Sequence, residues 1–374
     1  MSNARKLADN LPREGQLGNR NIIINGAMQV AQRGTSFTTV ADGTFTTDRF
    51  NYRKGNDGEV TITQDSSGPD GFANSLKVDV TTADTSIAAG QYSIIEYNVE
   101  AQDLQRLAFG TSGAKNFTLS FYVKSNKTGT YAVNISQTDN SSKQATLTYT
   151  IDSANTWERK SLTFTGDTSG VINDDNGIGF LMYWWLAAGS TYNSGSTSAT
   201  FQTYANANHA AGQAVNFLDS TSNEWFITGV QLEVGDEATS FEHEPFEATL
   251  RKCQRYYSQI NGPVHGYAMW TYSTVCSTHF YLPQEMRTIP SVTFTGTTNQ
   301  GNSNSVTDNS FSIYNHNQWI GASSSNGIVF GGTNSPNHKT IRVNAYPHGS
   351  FTSSGISAGF YMGTNCSINA DAEL

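Results

Sequence analysis

The sequence is poor in charge, in cysteine and in long apolar runs. Charged residues make up 14% of its 374 positions, and 31 Asp and Glu outnumber 22 Lys and Arg. The net charge of −9 and pI near 5.2 exclude a sequence-independent nucleic-acid binder, which needs basic surface to displace counterions. Three cysteines, Cys253, Cys276 and Cys366, cannot close a disulfide framework and show no Cys-x-x-Cys spacing, so they read as free thiols in apolar settings. The longest apolar run, residues 180–188 (FLMYWWLAA), is about half the ~20 residues a bilayer span requires. It reads as a deeply buried strand, and no membrane insertion is expected. The N-terminus has no apolar stretch of the kind that marks a secretory signal.

Ser, Thr, Asn and Gly fill the polar positions, and aromatics reach 11%. That mixture, in a chain long enough for two cores, predicts an all-β protein with many turns. Residues 21–241 read as strand after strand. Residues 21–30 (NIIINGAMQV) open with an apolar run and an Asn25-Gly26 turn signal, and 45–52, 59–64, 75–81 and 91–99 follow. Residues 102–109 read as a short helical turn. The strand 117–124 places Phe117, Leu119, Phe121 and Val123 on one face, and 130–137, 145–151, 160–164 and 178–187 continue the series. About ten or more short strands at this spacing predict a jelly-roll β-sandwich. Residues 189–213 are a Gly/Ser/Asn/Ala-rich segment of a length usually reserved for function or disorder. A second β-region, 258–374, predicts a C-terminal β-sandwich.

The stretch 224–257 joins the two regions. Trp225, Phe226, Ile227, Val230, Leu232 and Val234 predict a strand. Pro245 then suits a first helical position, and a helix over 245–257 would align Phe246, Leu250, Cys253 and Tyr257 on one face. That face must bury against its own sandwich or against copies of itself around a threefold axis. The expected organisation is an N-terminal arm (1–20), a jelly roll (21–244), a linker helix (245–260) and a C-terminal sandwich (261–374).

Few residues point to catalysis. Gly355-Ile356-Ser357-Ala358-Gly359 matches the G-x-S-x-G pattern, but a nucleophile elbow needs a helix and a later His, and here strand-like Phe360-Tyr361-Met362 follows. Five of seven histidines, His265, His279, His316, His338 and His348, lie in the last third without metal-pair spacing. Acids are plentiful, yet spacing cannot say which two would flank a glycosidic bond.

Three motifs, taken together, resemble bacteriophage tail-fibre-type virion proteins with a carbohydrate-binding-module-like jelly roll. The first is residues 21–36, NIIINGAMQVAQRGTS, with Thr47-Asp48-Arg49-Phe50. The second is 226–235, FITGVQLEVG, followed by Phe241-Glu242-His243 and Cys253-Gln254-Arg255-Tyr256-Tyr257. The third is 282–290, LPQEMRTIP. The resemblance implies a virion component made in the host cytoplasm, commonly a homotrimer. Residues 1–20 would dock to other virion proteins, and the rest would meet a host-surface glycan or outer-membrane receptor. It further implies a structural Ca²⁺ near Asn25 and Glu233, with Asp48 close in sequence; no other cofactor is expected.

Sugar recognition uses aromatic faces with a few polar groups that fix orientation. In the first domain the candidates are Tyr183, Trp184, Trp185 and Tyr192; adjacent Trp184 and Trp185 must face opposite sides of a strand. In the second they are Trp270, Tyr272, Trp319, Tyr346 and His348, with Trp319 in what reads as a polar loop, 315–319. The expected function is non-enzymatic attachment by multivalent binding, in which several weak sites raise avidity by ~10²–10⁴. The alternatives are a structural virion component without receptor binding, such as a capsid fibre, decoration protein or tail adaptor, and, ranked lower, a glycan depolymerase.

Overall fold

The computed structural model describes residues 18–139, 142–272, 275–298, 302–303, 310–315, 318–321, 328–330, 339–345 and 357–374. They divide into two units, the first ending at Leu250 and the second running from Arg251 to Glu373. Both are built from sheets that are antiparallel but for one short parallel pairing, 297–298 with 310–311, so the chain is all-β with short helices between strands.

The N-terminal unit carries thirteen strands among its described residues: β1 (Ser36–Phe37), β2 (Thr44–Phe45), β3 (Phe50–Lys54), β4 (Glu59–Asp65), β5 (Ser75–Thr82), β6 (Tyr92–Glu100), β7 (Phe117–Ser125), β8 (Gly129–Gln137), β9 (Lys143–Ile151), β10 (Glu158–Phe164), β11 (Ile178–Ala188), β12 (Ser198–Thr203) and β13 (Glu224–Val234). They form a six-stranded sheet, β1-β4-β5-β13-β7-β10, and a seven-stranded sheet, β12-β9-β8-β11-β6-β3-β2. Alternation decides what lies between the sheets. Phe117, Leu119, Phe121 and Val123 of β7 are fully buried in one cluster with Tyr131, Val133 and Ile135 of β8 and Phe180, Met182 and Trp184 of β11. This is a jelly-roll β-sandwich.

The phase of that alternation changes once in β13. Trp225 and Ile227 enter the core, and so do Val230 and Leu232, although the two pairs differ in parity. A bulge supplies the missing residue: the register against β7 shifts between Thr228 and Gln231, and Gly229 sits at φ +61°. The N-terminal segment is seated on this bulge. Ile22 N–H donates to Leu232 O (2.9 Å), and Val230 N–H donates to Gly26 O (2.9 Å). Residues 21–30 are therefore not the expected strand. Ile22 and Ile23 bury in the core from irregular backbone, and residues 24–27 turn, with Asn25 at φ +62°. The expected strand 45–52 is likewise split: β2 and β3 flank a tight turn in which Phe50 N–H donates to Thr47 O (2.9 Å). The described residues include the end of the expected arm, where Arg20 donates to Ser240 O at 2.7 Å. Residues 1–17 lie outside the described residues.

The joining helix is Phe246–Gln254, shorter than expected. Tyr257 is not on it. It opens a strand, Tyr257–Asn261 (β14), paired residue by residue with Ser367–Asp371 near the chain's end. The β-prone YSQIN segment gains five ladder positions there, which outweighs the helical spacing. The helical face also differs from expectation. Cys253 is buried and Leu250 half-buried, but Phe246 is 53% exposed and Thr249 is buried instead.

In the C-terminal unit β14 joins two other strands, Ser291–Thr295 and Ser367–Asp371, in a three-stranded sheet. A larger sheet holds Val264–Tyr272, Val275–Tyr281, Ser310–Asn315, Gln318–Gly321, Ile328–Phe330, Thr340–Ala345 and Ser357–Met362. Its core includes Cys276, Phe280, Ile341, Val343, Phe360 and Met362. Ser357 begins a strand paired with Met269, not a helix as a nucleophile elbow requires. All three cysteines are buried and outside any disulfide, and burial pushes the Cys276 thiol up to about 12. Among the described residues no helix is long and apolar enough to cross a membrane.

Candidate ligand cleft

The outer face of the seven-stranded sheet carries a row of side chains that alternation excludes from the core. Trp185 of β11 lies opposite Ile94 of β6, which lies opposite Arg53 of β3. One step along, Tyr183 lies opposite Glu96 on one side and Asn134 of β8 on the other. The segment after β11 then folds back over this face. Gln144 donates to Ala205 O (2.7 Å), Thr146 Oγ1 to Asn208 O (2.7 Å), and Ala210 N–H to Tyr192 O (2.8 Å). Gln213 completes the anchor, accepting from Ala132 N–H (2.6 Å) and donating to Val215 O (2.8 Å).

This segment brings Tyr192, Tyr204, Asn206 and His209 up to the strand residues Tyr92, Tyr183 and Trp185, around a cleft of about 210 Å³. Trp185 and Tyr192 lie 5.5 Å apart between ring centroids, Tyr92 and Tyr192 5.8 Å, and Tyr183 and Trp185 6.4 Å. His209 sits among four rings, 5.0 Å from Tyr183, 5.2 Å from Trp185, 5.3 Å from Tyr204 and 6.5 Å from Tyr192. Burial there holds its imidazole down at about 4, so it is neutral at pH 7. The Trp185 indole N–H is buried without a hydrogen-bond partner.

Glu96 also lines the cleft. Its Oε1 accepts from Asn51 (3.2 Å) and Asn98 (3.4 Å), and its Oε2 faces Arg53 Nη1 at 3.5 Å. Burial raises its carboxyl above the usual range, with Arg53 opposing the shift. Arg53 is drawn toward solvent by Asp42, at 3.0 Å from its Nε. Burial also raises the phenols of Tyr92, Tyr183 and Tyr204. The site thus joins aromatic faces, a buried carboxylate, a guanidinium and an amide, the inventory of a small-molecule or sugar site. Glu96 is the one carboxylate among the described lining residues.

Of the residues singled out from sequence, Trp185 and Tyr192 meet here, with Tyr183. Trp184 faces the core, 6.4 Å from Phe50 and 6.1 Å from Phe121. Sequence reading did not select Arg53, Tyr92, Glu96, Tyr204, Asn206 or His209. The only signal for three of them was the composition and length of 189–213. In the C-terminal unit, Trp270 and Tyr272 lie in the strand Val264–Tyr272, and their side chains are outside the described residues, as are Tyr346 and His348 entirely. Trp319 is not in a loop: it belongs to the strand Gln318–Gly321, opposite Tyr314. In the same unit, exposed Tyr267 and Met269 border a hollow with His279 and Arg342.

The expected Ca²⁺ ligands are taken up by protein partners. The Asn25 amide closes the turn, accepting from Val30 N–H (2.9 Å) and donating to Val30 O (2.9 Å). Glu233 Oε1 accepts from Thr239 N–H (2.9 Å) and Gln231 (2.8 Å), and its Oε2 from Thr239 Oγ1 (2.6 Å). Asp48 accepts from Gln32 twice. These carboxylates already hold turns, so they do not present the free oxygens that Ca²⁺ needs. Among the described residues no group of three or more His, Cys, Asp or Glu converges.

No protein-family model and no curated protein matches the chain. Among solved structures it is similar to the enzymatically active domain of bacteriophage CBA120 tailspike protein 4, at 11% identity over 58% of this chain and 22% of that one, with a TM-score of 0.31. It is also similar to the family 11 carbohydrate-binding module of a cellulosomal cellulase of Clostridium thermocellum, at 14% identity over 54% of this chain and 97% of that one (TM-score 0.28). A third is TmCBM61 in complex with β-1,4-galactotriose, at 9% identity over 58% of this chain and 100% of that one (TM-score 0.28). The chain spans about a fifth of the tailspike domain's length. Likenesses this distant carry no argument about what the chain binds.

Proposed function

We propose that the protein is a fibre-type virion component whose N-terminal sandwich binds a glycan of the host surface in the aromatic cleft. The observation that carries this reading is the clustering of Tyr92, Tyr183, Trp185, Tyr192 and Tyr204 on one outer sheet face, beside Glu96 and Arg53. These rings lie outside the core between the sheets, in a second small cluster where Trp185 is buried and Tyr92, Tyr183 and Tyr192 are half-buried, and sugar faces stack on such partly open rings. The virion role rests on the three resembling segments of sequence. In this reading residues 1–20 dock to other virion proteins, three chains associate, and attachment gains from several weak sites acting together.

Binding is favoured over cleavage because hydrolysis by the usual route needs two carboxylates, and Glu96 stands alone among the described lining residues. The test is a host-polysaccharide binding assay on the full chain with Tyr192→Ala and Tyr204→Ala. Wild type should bind, the variants should bind about tenfold more weakly, and no new reducing ends should appear. Equal adhesion of wild type and variants would place the binding site outside this cleft, and no adhesion by wild type would favour a structural virion component without receptor binding. Released oligosaccharide would make the protein a depolymerase.

A further inference from the structure

The rings of the cleft are arranged as a cage and not as a platform. A platform for stacked pyranoses presents faces close to one plane. Here the Tyr92 and Tyr192 rings cross at 85°, Tyr183 and Trp185 at 59°, and Trp185 and Tyr192 at 40°. They wrap a small volume of about 210 Å³ and turn several π-faces and edges upon it. Ring faces carry negative potential, which draws an organic cation, most strongly where water is excluded.

The charge at the cleft's end has the same sign. Arg53 is the one permanently cationic side chain among the described lining residues, and it is shared between Glu96 at 3.5 Å and, outside the cleft, Asp42 at 3.0 Å. The nearer partner of Arg53 is therefore Asp42, which leaves Glu96 only partly neutralised by it. Glu96 is 3% exposed; its Oε1 takes two amide donors, whereas among the described residues its Oε2 has only the long contact with Arg53. That oxygen can accept from a further donor. Close to it, the amide oxygens of Asn51 and Asn98 are buried without donors among the described residues. His209, neutral at pH 7, adds a ring and no positive charge.

Resting on the glycan-binding reading, we infer that the ligand carries an organic ammonium group, either as a non-acylated amino sugar or as a choline substituent on a glycan, held between the aromatic cage and the Glu96 carboxylate. A neutral glucan leaves the spare carboxylate oxygen without a charged donor. An N-acetyl sugar has lost the cation, and an anionic sugar meets the Glu96 carboxylate.

Isothermal titration of the full chain tests this with three oligosaccharides of equal length: fully deacetylated chito-oligosaccharide, its N-acetylated form, and cello-oligosaccharide. Choline is the fourth probe. The deacetylated oligomer or choline should bind at least about tenfold more tightly than both neutral oligomers. The tighter of those two cationic probes identifies the source of the ammonium. High salt should erase the preference, and so should Glu96→Gln. Should Glu96→Gln fail to fold, the salt dependence of wild type decides alone. Equal or tighter binding of the neutral oligomers overturns the ammonium and leaves the glycan reading intact. Silence from all four probes overturns the ammonium, and the glycan reading is then decided by the host-polysaccharide assay.

Discussion

Trp184 and Trp185 are adjacent in β11 and belong to different environments. Trp184 is fully buried between the sheets, 6.1 Å from Phe121 and 6.4 Å from Phe50. Trp185 lies on the outer face, 5.5 Å from Tyr192 and 5.2 Å from His209. One peptide unit separates the sandwich's core from its candidate ligand site.

The two positions should respond differently to truncation. Trp184→Ala removes a ring shared by both sheets and should cost about 3–5 kcal/mol of unfolding free energy. Trp185→Ala touches a smaller cluster whose other members are Ile94, Ala132 and Ala210. It should cost less stability and lose most ligand binding. Denaturant titration beside a binding isotherm checks the contrast; equal destabilisation by both would show that the outer cluster is as structural as the core.

Tyr204 is 40% exposed, and its hydroxyl donates only to Asn206 Oδ1 (2.7 Å). Tyr204→Phe should therefore leave stability within about 0.5 kcal/mol of wild type. If the phenol also orders Asn206 for the ligand, affinity should fall by a few-fold, read in the same titration.

The seat of the N-terminal segment can be tested at Gly26. A Cβ there would land on the carbonyl oxygen of Val230, a backbone atom that cannot swing aside. Gly26→Ala should destabilise the unit by about 1–3 kcal/mol. Gly90→Ala is the control, because a Cβ there meets nothing within 4 Å. A Gly26→Ala variant melting like the control would mean that the segment is not held against β13.

Burial depresses His209 from 6.5 to about 4. The folded state therefore binds this proton less readily than the unfolded chain. The associated stability is fully present above about pH 6.5 and is lost as pH falls through about 4. Urea midpoints measured across that window should fall for wild type and fall less for His209→Gln. Parallel curves would place His209 in water rather than among the four rings.

Assembly has its own readout. Phe246 is 53% exposed on the helix Phe246–Gln254. A trimer of the 40.6 kDa chain should sediment at three times that mass. Phe246→Asp should lower the mass without lowering the unfolding midpoint of the chain, if this ring lies at the threefold contact. An unchanged mass would remove Phe246 from the interface.

Much of this organisation is legible in the sequence because strand alternation is local. The rows Phe117-Leu119-Phe121-Val123 and Tyr131-Val133-Ile135 announce which faces are core, and the Trp184-Trp185 pair announces that one ring must point outward. Residues 189–213 announce themselves by length and composition. Two kinds of fact were decided only by the tertiary structure. One is where local pattern yields to pairing: Tyr257 leaves a helical spacing for a strand because residues 367–371 wait beside it, and Gly229 shifts the phase of β13. The other is the cleft. Arg53, Tyr92, Glu96, Tyr183, Trp185 and His209 come from three strands and a returning loop. Their encounter depends on register and on anchors such as Gln144 to Ala205 and Thr146 to Asn208, which join residues about sixty positions apart. Alternation says which way a side chain points; only the completed sheet says what stands across from it.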